Sequence, residues 1–194
     1  MIAHEPRIHL WTRDEYYRMA AIGLFDERRV ELIEGQVVEM GAMRSPHSTA
    51  VTLAGDALRA VGDRWSVRPC FPRLQQPLSL GELSDPEPDV AVVAGMPRDY
   101  AAAHPTTALL VAEVAEASLR YDRNQKASLY ARHGIQEYWV INLVDRQLEI
   151  FQDPQPGQGE PYEFRYATRR VLSETGTATP LAAQGPIAVA DLLP

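Results

Sequence analysis

Cysteine is nearly absent from this sequence. Cys70 is the only cysteine among 194 residues, so no disulfide can form within the chain. No second cysteine or clustered metal ligand accompanies it, and we interpret Cys70 as structural or incidental. Such cysteine usage fits a reducing compartment, and the N-terminal stretch MIAHEPRIHLW lacks the apolar core of a signal peptide. We therefore expect a cytoplasmic protein.

Long hydrophobic runs are also missing. No apolar stretch approaches the roughly 20 residues needed to cross a bilayer, so we expect no membrane partner. The hydrophobic content is 45% and the mean hydropathy is -0.25, which is typical of a globular chain. A length of 194 residues fits one domain, 1–194, with ample material for a core.

Three familiar motifs are absent. The sequence has no Gly-rich phosphate loop, no C-x-x-C pair and no G-x-S-x-G motif, which leaves little support for a nucleotide fold, a zinc site or a serine hydrolase. Positive charge is scarce as well, because the net charge is -7 and the pI is about 5.2. This balance argues against a protein that coats nucleic acid, but it is compatible with a local basic groove.

Arginines occur in three groups along the chain. Solvated faces explain each group as readily as a groove would. The groups are Arg64, Arg68 and Arg73, then Arg120, Arg123 and Arg132, and finally Arg165, Arg169 and Arg170.

Two short apolar segments each carry one acid. PEPDVAVV contains Asp89, and ALLVAEVAEAS contains Glu113. Both segments have the length and composition of strands buried on both faces. A carboxylate inside such a strand is costly unless an ion pair, a raised pKa or a metal ion compensates it.

A lysine on an apolar helix face adds to this pattern. We predict a third helix that begins near Asp122, with Asp122 and Gln125 forming a capping box. Lys126, Leu129 and Tyr130 then share the face that packs on the sheet. Two acids and one lysine directed at a sheet interior indicate a hard-cation site with a charged helper. A purely structural cluster of ion pairs is the alternative.

The N-terminal part predicts a helix and a hairpin. Thr12 and Glu15 form a capping box for a helix over 12–22, and a two-strand hairpin turns at Glu34-Gly35. Glu31 lies in its first strand, between two apolar residues, and could face inward or outward.

A second helix is expected after this hairpin. Ser45 is its predicted N-cap, with Pro46 at the first helical position. His47 starts its apolar stripe, either as a satisfied structural histidine or as a substrate contact.

The composition of the other segments predicts further strands. WSVRPC and LQQPLSL are predicted strands on either side of Phe71-Pro72, and the proline after Gln75 and Gln76 indicates a broken or edge strand. EYWVINL and QLEIFQD form a hairpin, YEFRYATRRVL adds a strand, and a short helix closes the chain. We expect an α/β fold with a central mixed sheet, helices on both sides and a C-terminal β-extension.

The ordered set of these segments resembles the Uma-type family of the PD-(D/E)XK nuclease superfamily, bacterial domains regarded as restriction endonucleases. The strongest part of the resemblance runs from Glu87 to Leu143. The segments that carry it are RVELIEGQVVEM, SPH, LQQPLSL, SDPEPDVAVV, LLVAEVAEAS and YDRNQKASLYARHGIQEYWVINL.

The resemblance implies a restriction-endonuclease-like core and a metal-dependent endonuclease acting on DNA. It implies Asp89, Glu113 and Lys126 as catalytic residues, and Asp89, Glu113 and Glu31 as ligands of Mg²⁺ or Mn²⁺. The superfamily motif has its lysine two residues after the second acid, where this chain has Ala115. The resemblance therefore implies that the lysine has moved to Lys126. His47, Gln75 and Arg123 are candidate substrate contacts.

Nucleic acid, most directly DNA, is the expected partner. A homodimer is expected because cleavage of both strands of a duplex with one site per chain requires two chains. Two other classes stay open. One is a nuclease-fold module that binds nucleic acid or a protein without cutting, and the other is an interaction protein in which the acids and the lysine form a buried salt-bridge network.

Overall fold

The N-terminal part folds as a helix followed by a hairpin. The computed structural model describes residues 6–194. Helix α1 covers Arg13–Ala21, and the predicted capping box of Thr12 and Glu15 is confirmed. Strands β1, Val30–Ile33, and β2, Gln36–Glu39, pair antiparallel. Their turn has positive φ at Glu34 and Gly35, as a tight hairpin requires.

Helix α2 covers Ser45–Ala60. The prediction that Ser45 caps this helix is wrong, because Ser45 lies within the first turn and Arg44 is the N-cap, without a side-chain hydrogen bond. A proline fits either of the first two helical positions, since neither amide there needs a helical acceptor, and the S-P pair therefore does not fix the boundary. The predicted buried stripe is confirmed at Val51, Ala54 and Leu58.

A six-stranded mixed sheet forms the centre of the fold, as predicted. Its order is β3-β4-β5-β6-β7-β8, and among the described strands only β5 and β6 run parallel. A parallel pair needs a long crossover, which the helical segment after β5 provides. The strands are β3 Cys70–Leu74, β4 Val90–Ala94, β5 Leu110–Ala115, β6 Glu137–Asn142, β7 Gln147–Pro156 and β8 Phe164–Ser173.

One strand differs from the prediction. WSVRPC and LQQPLSL do not form two strands, because β3 runs through Phe71 and Pro72. A proline is tolerated there since β3 is an edge strand with a free side. The backbone of Gln75 then turns to a φ of 49°, which ends the strand.

The helical segment after β5 begins earlier than predicted. It runs as α3, Leu119–Tyr121, a π-helical turn, Asp122–Lys126, and α4, Ala127–Arg132. The predicted cap at Asp122 is wrong, because the chain is already helical at Leu119 and the Asp122 carboxylate accepts a hydrogen bond from the Ser118 hydroxyl at 2.6 Å. Such π-helical turns are rare and frequently occur at functional sites.

Helices cover both faces of the sheet, as predicted. The apolar face of α2 packs with Val92, Val114 and Trp139 in one core. The apolar face of α4 packs with Val93, Val111 and Tyr138 in a second core on the other face. The two cores bury the central strands on both sides, which forces any polar group within them to find a partner.

The C-terminal β-extension is also confirmed. β7 and β8 form a ten-residue antiparallel pair at the far edge of the sheet. A short pair follows, β9 Thr177–Ala178 and β10 Ile187–Ala188, and a 3₁₀ turn, Val189–Leu192, packs against α2. Within residues 6–194, no helix combines the length and apolar character needed to span a membrane.

Candidate active site

Two acids lie side by side on neighbouring strands. Asp89 directly precedes β4, and Glu113 lies within β5, its antiparallel neighbour. The backbone N–H of Asp89 donates to the Glu113 carboxylate at 3.0 Å, and the N–H of Val114 donates to the Asp89 carboxylate at 2.9 Å. These reciprocal bonds fix both carboxylates against the sheet backbone.

Lys126 joins the helix to both the sheet and the hairpin. Its side chain is only 1% exposed. The ammonium donates to Glu31 at 2.5 Å and to Glu113 at 3.2 Å. Tyr130, one turn further along the helix, donates its hydroxyl to the same Glu113 oxygen at 2.7 Å. The inward direction of Lys126 is therefore confirmed, and Glu31 faces inward.

The second oxygen of Asp89 has two side-chain partners. His47 Nε2 lies 3.0 Å from Asp89 Oδ1, and Gln75 Nε2 donates to the same oxygen at 3.1 Å. His47 is in the first turn of α2, and Gln75 directly follows β3. The hairpin, α2, the strands β3, β4 and β5, and the helical segment after β5 therefore meet around Asp89 and Glu113.

A cavity of about 290 Å³ opens onto this cluster. Its lining includes Asp89, Glu113, Glu31, Lys126 and His47 from the sequence prediction. It also includes residues to which sequence reasoning gave no role in the site, namely Arg29, Arg44, Glu87, Glu116, Ser118 and Asp122.

For two of these residues, Glu87 and Arg29, the sequence contains a pattern that predicts their place at the cavity. Glu87 lies two residues before Asp89 in an extended segment, and alternation predicts that the two side chains share a face. Arg29 directly precedes the hairpin strand that carries Glu31. Asp122 had no such signal. The sequence predicted it as the start of the helix, whereas it lies within the π-helical turn and lines the cavity.

Arg123 is not brought to this cavity. Its guanidinium pairs with the buried carboxylate of Glu149 on β7, which also accepts from Arg169. Arg123 contacts Asp145 as well and lines a different cavity. The placement of Arg123 beside the acids was therefore wrong, because the π-helical turn directs Arg123 and Lys126 to different surroundings.

Burial and mutual repulsion shift the acidity of the cluster. Burial raises the pKa of Glu113 to about 8, against the attraction of Lys126 and with further repulsion from Asp89 and Asp122. Burial likewise raises the pKa of Asp122 to about 6. For Asp89, burial acts in the same direction, but the hydrogen bond and charge of His47, together with the hydrogen bonds from Val114 and Gln75, outweigh it and lower the pKa.

In the two basic groups, neighbouring carboxylates outweigh burial and favour the charged form. Burial opposes the charge of Lys126, but the carboxylates of Glu113 and Glu31 outweigh it and raise the pKa of the ammonium. The hydrogen bond to Asp89 raises the pKa of His47. Lys126 therefore stays charged at neutral pH, with the carboxyl group of Glu31 as its nearest contact.

The donor chemistry of the cluster fits a hard divalent cation. Four of the carboxyl groups that line the cavity, on Glu31, Asp89, Glu113 and Asp122, are buried. Glu31 and Glu113 contact the buried ammonium of Lys126, and oxygen ligands are those that Mg²⁺ and Mn²⁺ prefer. Protein donors occupy the oxygens of Asp89 and Glu113, and within residues 6–194 no three His, Cys, Asp or Glu side chains are grouped closely enough to hold a metal. The donor type and charge of these residues suit a cation, but their present spacing does not hold one. Binding would therefore require the carboxylates to move closer and to exchange protein hydrogen bonds for metal contacts.

The fold has a counterpart among solved structures. The chain is similar to the crystal structure of a "putative nuclease belonging to DUF820" from Anabaena variabilis, with a TM-score of 0.65 and 15% sequence identity. The match covers 96% of this chain and 97% of that chain. At this identity the likeness establishes a shared fold. No curated protein matches the chain.

The family follows from a match over 13–184 to Uma2, described as "Putative restriction endonuclease". The match covers most of the chain, and the protein belongs to this family. The resemblance drawn from the sequence is thereby confirmed. Family and fold together indicate a restriction-endonuclease-like nuclease.

Proposed function

We propose that this protein is a metal-dependent endonuclease that hydrolyses phosphodiester bonds in DNA. One observation supports the proposal most directly: Asp89 and Glu113 are fixed side by side on neighbouring strands, and the Lys126 ammonium lies 3.2 Å from Glu113. Two acids with a lysine beside them combine metal ligands with a group that stabilises phosphate charge. The fold and family of the chain are consistent with this chemistry.

Asp89, Glu113 and Glu31 are the proposed ligands of Mg²⁺ or Mn²⁺. When bound, such a cation would neutralise charge on the phosphate and lower the pKa of a water molecule. It would also favour the ionised form of Glu113, whose pKa is raised to about 8 by burial in its absence. Cation binding and proton release at Glu113 are therefore coupled.

The other side chains of the cluster orient these groups. Lys126 holds a positive charge beside Glu113, where it would stabilise negative charge that develops on the phosphate. Tyr130 directs Glu113 through its 2.7 Å hydrogen bond. His47 and Gln75 orient Asp89 through their hydrogen bonds to its carboxylate. Their proposed role is therefore to position Asp89, in addition to contacting the substrate.

The substrate would enter at the side of the cavity that carries positive charge. Arg29 and Arg44 line the cavity, and Arg44 is highly exposed at the N-terminus of α2. Helix N-termini favour anions because their first amides lack helical acceptors. These groups would hold the DNA backbone while the acids and Lys126 face the scissile phosphate.

The test is metal-dependent nicking of supercoiled plasmid by the purified protein. Wild type should nick with Mg²⁺ or Mn²⁺ and not with EDTA, and Glu113→Gln and Asp89→Asn should lose the activity. Arg59→Gln is a matched control, since Arg59 lies in the last turn of α2 and does not line the cavity. Equal nicking by wild type and both acid variants would show contaminating nuclease and refute the proposal. A parallel RNA substrate separates DNA from RNA as the target.

A second candidate is a nuclease-fold module that binds nucleic acid without cutting it. The observation in its favour is that Ala115 occupies the usual lysine position, while Lys126 is engaged by two carboxylates. This candidate predicts wild-type DNA binding with no nicking under any metal. Equal duplex binding by wild type and Glu113→Gln, with no nicking by either protein, would support it.

Double-strand cleavage also implies assembly. With one set of Asp89, Glu113 and Lys126 per chain, two chains are needed to cut both strands of a duplex together, so we propose a homodimer of 1–194 single-domain subunits acting in the cytoplasm. Sedimentation of the protein with and without duplex DNA tests the dimer. A monomer in both conditions would limit the enzyme to nicking.

A further inference from the structure

A buried arginine without a carboxylate partner lies outside the candidate active site. Arg73 is on the edge strand β3 and is only 7% exposed. Among residues 6–194, no Asp or Glu oxygen lies within ion-pair distance of its guanidinium. Its Nε is buried and has no hydrogen-bond partner in that part of the chain. Buried charges are normally paired, so this arginine calls for an explanation.

The contacts of Arg73 are weak for a buried cation. Its Nη2 lies 3.4 Å from Nδ1 of His104, near the upper limit of a hydrogen bond. The guanidinium carbon lies 5.5 Å from the centre of the Tyr100 ring, a cation–π contact. Neither neighbour neutralises the charge, and burial lowers the pKa of Arg73 accordingly.

The orphaned edge of this guanidinium is the edge that recognises oxyanions. Nε and Nη2 lie side by side and donate in parallel, which is the arrangement that binds carboxylate or phosphate with two hydrogen bonds. In Arg73, one of these donors has no partner, and the other has only the long contact to His104. An anion at this edge would satisfy both donors together.

A cavity of about 340 Å³ lies against the two neighbours of Arg73. Tyr100, His104, Thr106 and Thr107 line it, whereas Arg73 lies behind Tyr100 and His104 and is not part of the lining. Asp99 is the one acid in this lining, and its carboxylate accepts the backbone N–H of Met96 at 2.8 Å as a turn cap. No residue is shared with the lining of the acidic cavity, so this is a separate place in the molecule.

We propose that Arg73, His104 and the threonine-lined cavity form a binding site for a phosphate group, either free phosphate or a terminal phosphate monoester. His104 contacts Nη2 of this edge. In the proposed bound state its ring turns aside so that the anion reaches Nε and Nη2 together. The phosphate then accepts from Nε and Nη2 of Arg73, with the hydroxyls of Thr106 and Thr107 and the imidazole of His104 as further donors. This inference does not depend on the nuclease activity.

The test observes His104 directly, because phosphate could also enter the acidic cavity. ¹⁵N-edited spectra of the histidine rings, with His104 assigned through His104→Asn, are recorded during titration with inorganic phosphate. Sodium chloride at equal ionic strength is the reference. Saturable movement of the His104 resonances is expected in wild type, and unmoved His104 resonances in the folded wild-type protein would overturn the proposal without any variant.

Variants then assign the effect to Arg73. Arg73→Met keeps the apolar stem and should weaken the phosphate response by about tenfold or more. Arg98→Met is the matched control, since it removes an exposed arginine from the turn that carries Tyr100 and should leave the response unchanged. A folded Arg73→Met that binds phosphate as wild type does would refute the assignment.

Three ligands distinguish the source of the phosphate group. A nucleoside monophosphate that moves His104 at lower concentration than inorganic phosphate would identify a phosphate monoester as the occupant. A response to inorganic phosphate alone would identify the free ion. Acetate should have little effect, and an acetate response equal to that of phosphate would overturn the assignment to phosphate.

Discussion

The carboxylate of Glu31 lies 2.5 Å from the ammonium of Lys126, although 95 residues separate them in the chain. This contact links the N-terminal hairpin to the helix that crosses over the sheet. Both side chains are almost fully buried, so neither charge has water to stabilise it. Lys126 in turn contacts Glu113, and the three residues form one electrostatic unit.

Removal of the lysine charge should separate catalysis from folding. Lys126→Met keeps the apolar stem beside Leu129 and Tyr130, so we expect a folded protein, since an apolar isostere of a buried charge is often tolerated. Plasmid nicking should fall at least tenfold, or ~1.4 kcal/mol of barrier. Arg120→Met, on the exposed side of the same helix, is the control and should cut as wild type does.

Two outcomes of the Lys126→Met experiment would contradict a catalytic role for Lys126. If Lys126→Met unfolds, as circular dichroism would show, the residue serves mainly as a structural ion pair. If the variant is folded and cuts at the wild-type rate, Lys126 has no catalytic role. Nicking assays and thermal unfolding of the same preparation distinguish these outcomes.

The proposed cation site predicts a specific loss of metal binding. Calorimetry should detect Mn²⁺ binding to wild type, and Asp89→Ala should abolish it because one ligand of the pair on β4 and β5 is removed. Asp56→Ala changes an exposed acid on α2 and should bind Mn²⁺ normally. Equal binding by wild type and Asp89→Ala would locate the metal elsewhere.

The raised pKa of Glu113 predicts a pH-dependent stability. Burial raises this pKa from 4.5 to about 8, so the folded state binds more protons than the unfolded state between these values. Stability of the metal-free protein should therefore fall as pH rises through this window. Glu113→Gln removes this part of the dependence, and its difference from wild type should change by about 1 kcal/mol or more between about pH 5 and about pH 8.

Thermal unfolding in EDTA at several pH values measures this effect. Asp122, whose pKa is raised to about 6, titrates within this range, and its repulsion of Glu113 is part of the measured difference between the two proteins. Parallel stability curves for wild type and Glu113→Gln would contradict the raised pKa. Addition of Mn²⁺ should stabilise wild type more at high pH, because the cation binds the ionised carboxylate.

Arg29 and Arg44 should carry much of the attraction for DNA. The net charge of -7 repels a polyanion at a distance, so binding should depend on these local charges. The double variant Arg29→Gln, Arg44→Gln should weaken duplex binding and reduce the log–log salt slope by ~0.9 for each lost phosphate contact. Arg59→Gln, about 20 Å away along α2, should have little effect.

Titration of a fluorescent duplex across salt concentrations, with Ca²⁺ to prevent cutting, provides the measurement. Unchanged affinity and slope in the double variant would show that DNA does not enter past Arg29 and Arg44. The basic side chains around Arg123 and Arg169 would then be the next candidates, since they line a separate cavity.

The sequence by itself determined the main elements and the order of the acidic residues. The length and composition of the short apolar segments around Asp89 and Glu113 favoured buried strands, and the helical spacing of Lys126, Leu129 and Tyr130 directed the lysine inward. These inferences held because burial of apolar surface sets the periodicity of each element. The capping box at Thr12 and the turn at Glu34-Gly35 were equally local and equally readable.

Only the tertiary structure decided which distant side chains meet. The hairpin brings Glu31 to Lys126, and the first turn of α2 brings His47 to Asp89, contacts that no local spacing encodes. The π-helical turn adds a residue to the turn before α4 and separates Arg123 from Lys126, although the sequence grouped them. The isolation of Arg73 was invisible for the same reason, because a missing partner can be recognised only when every neighbour is in place.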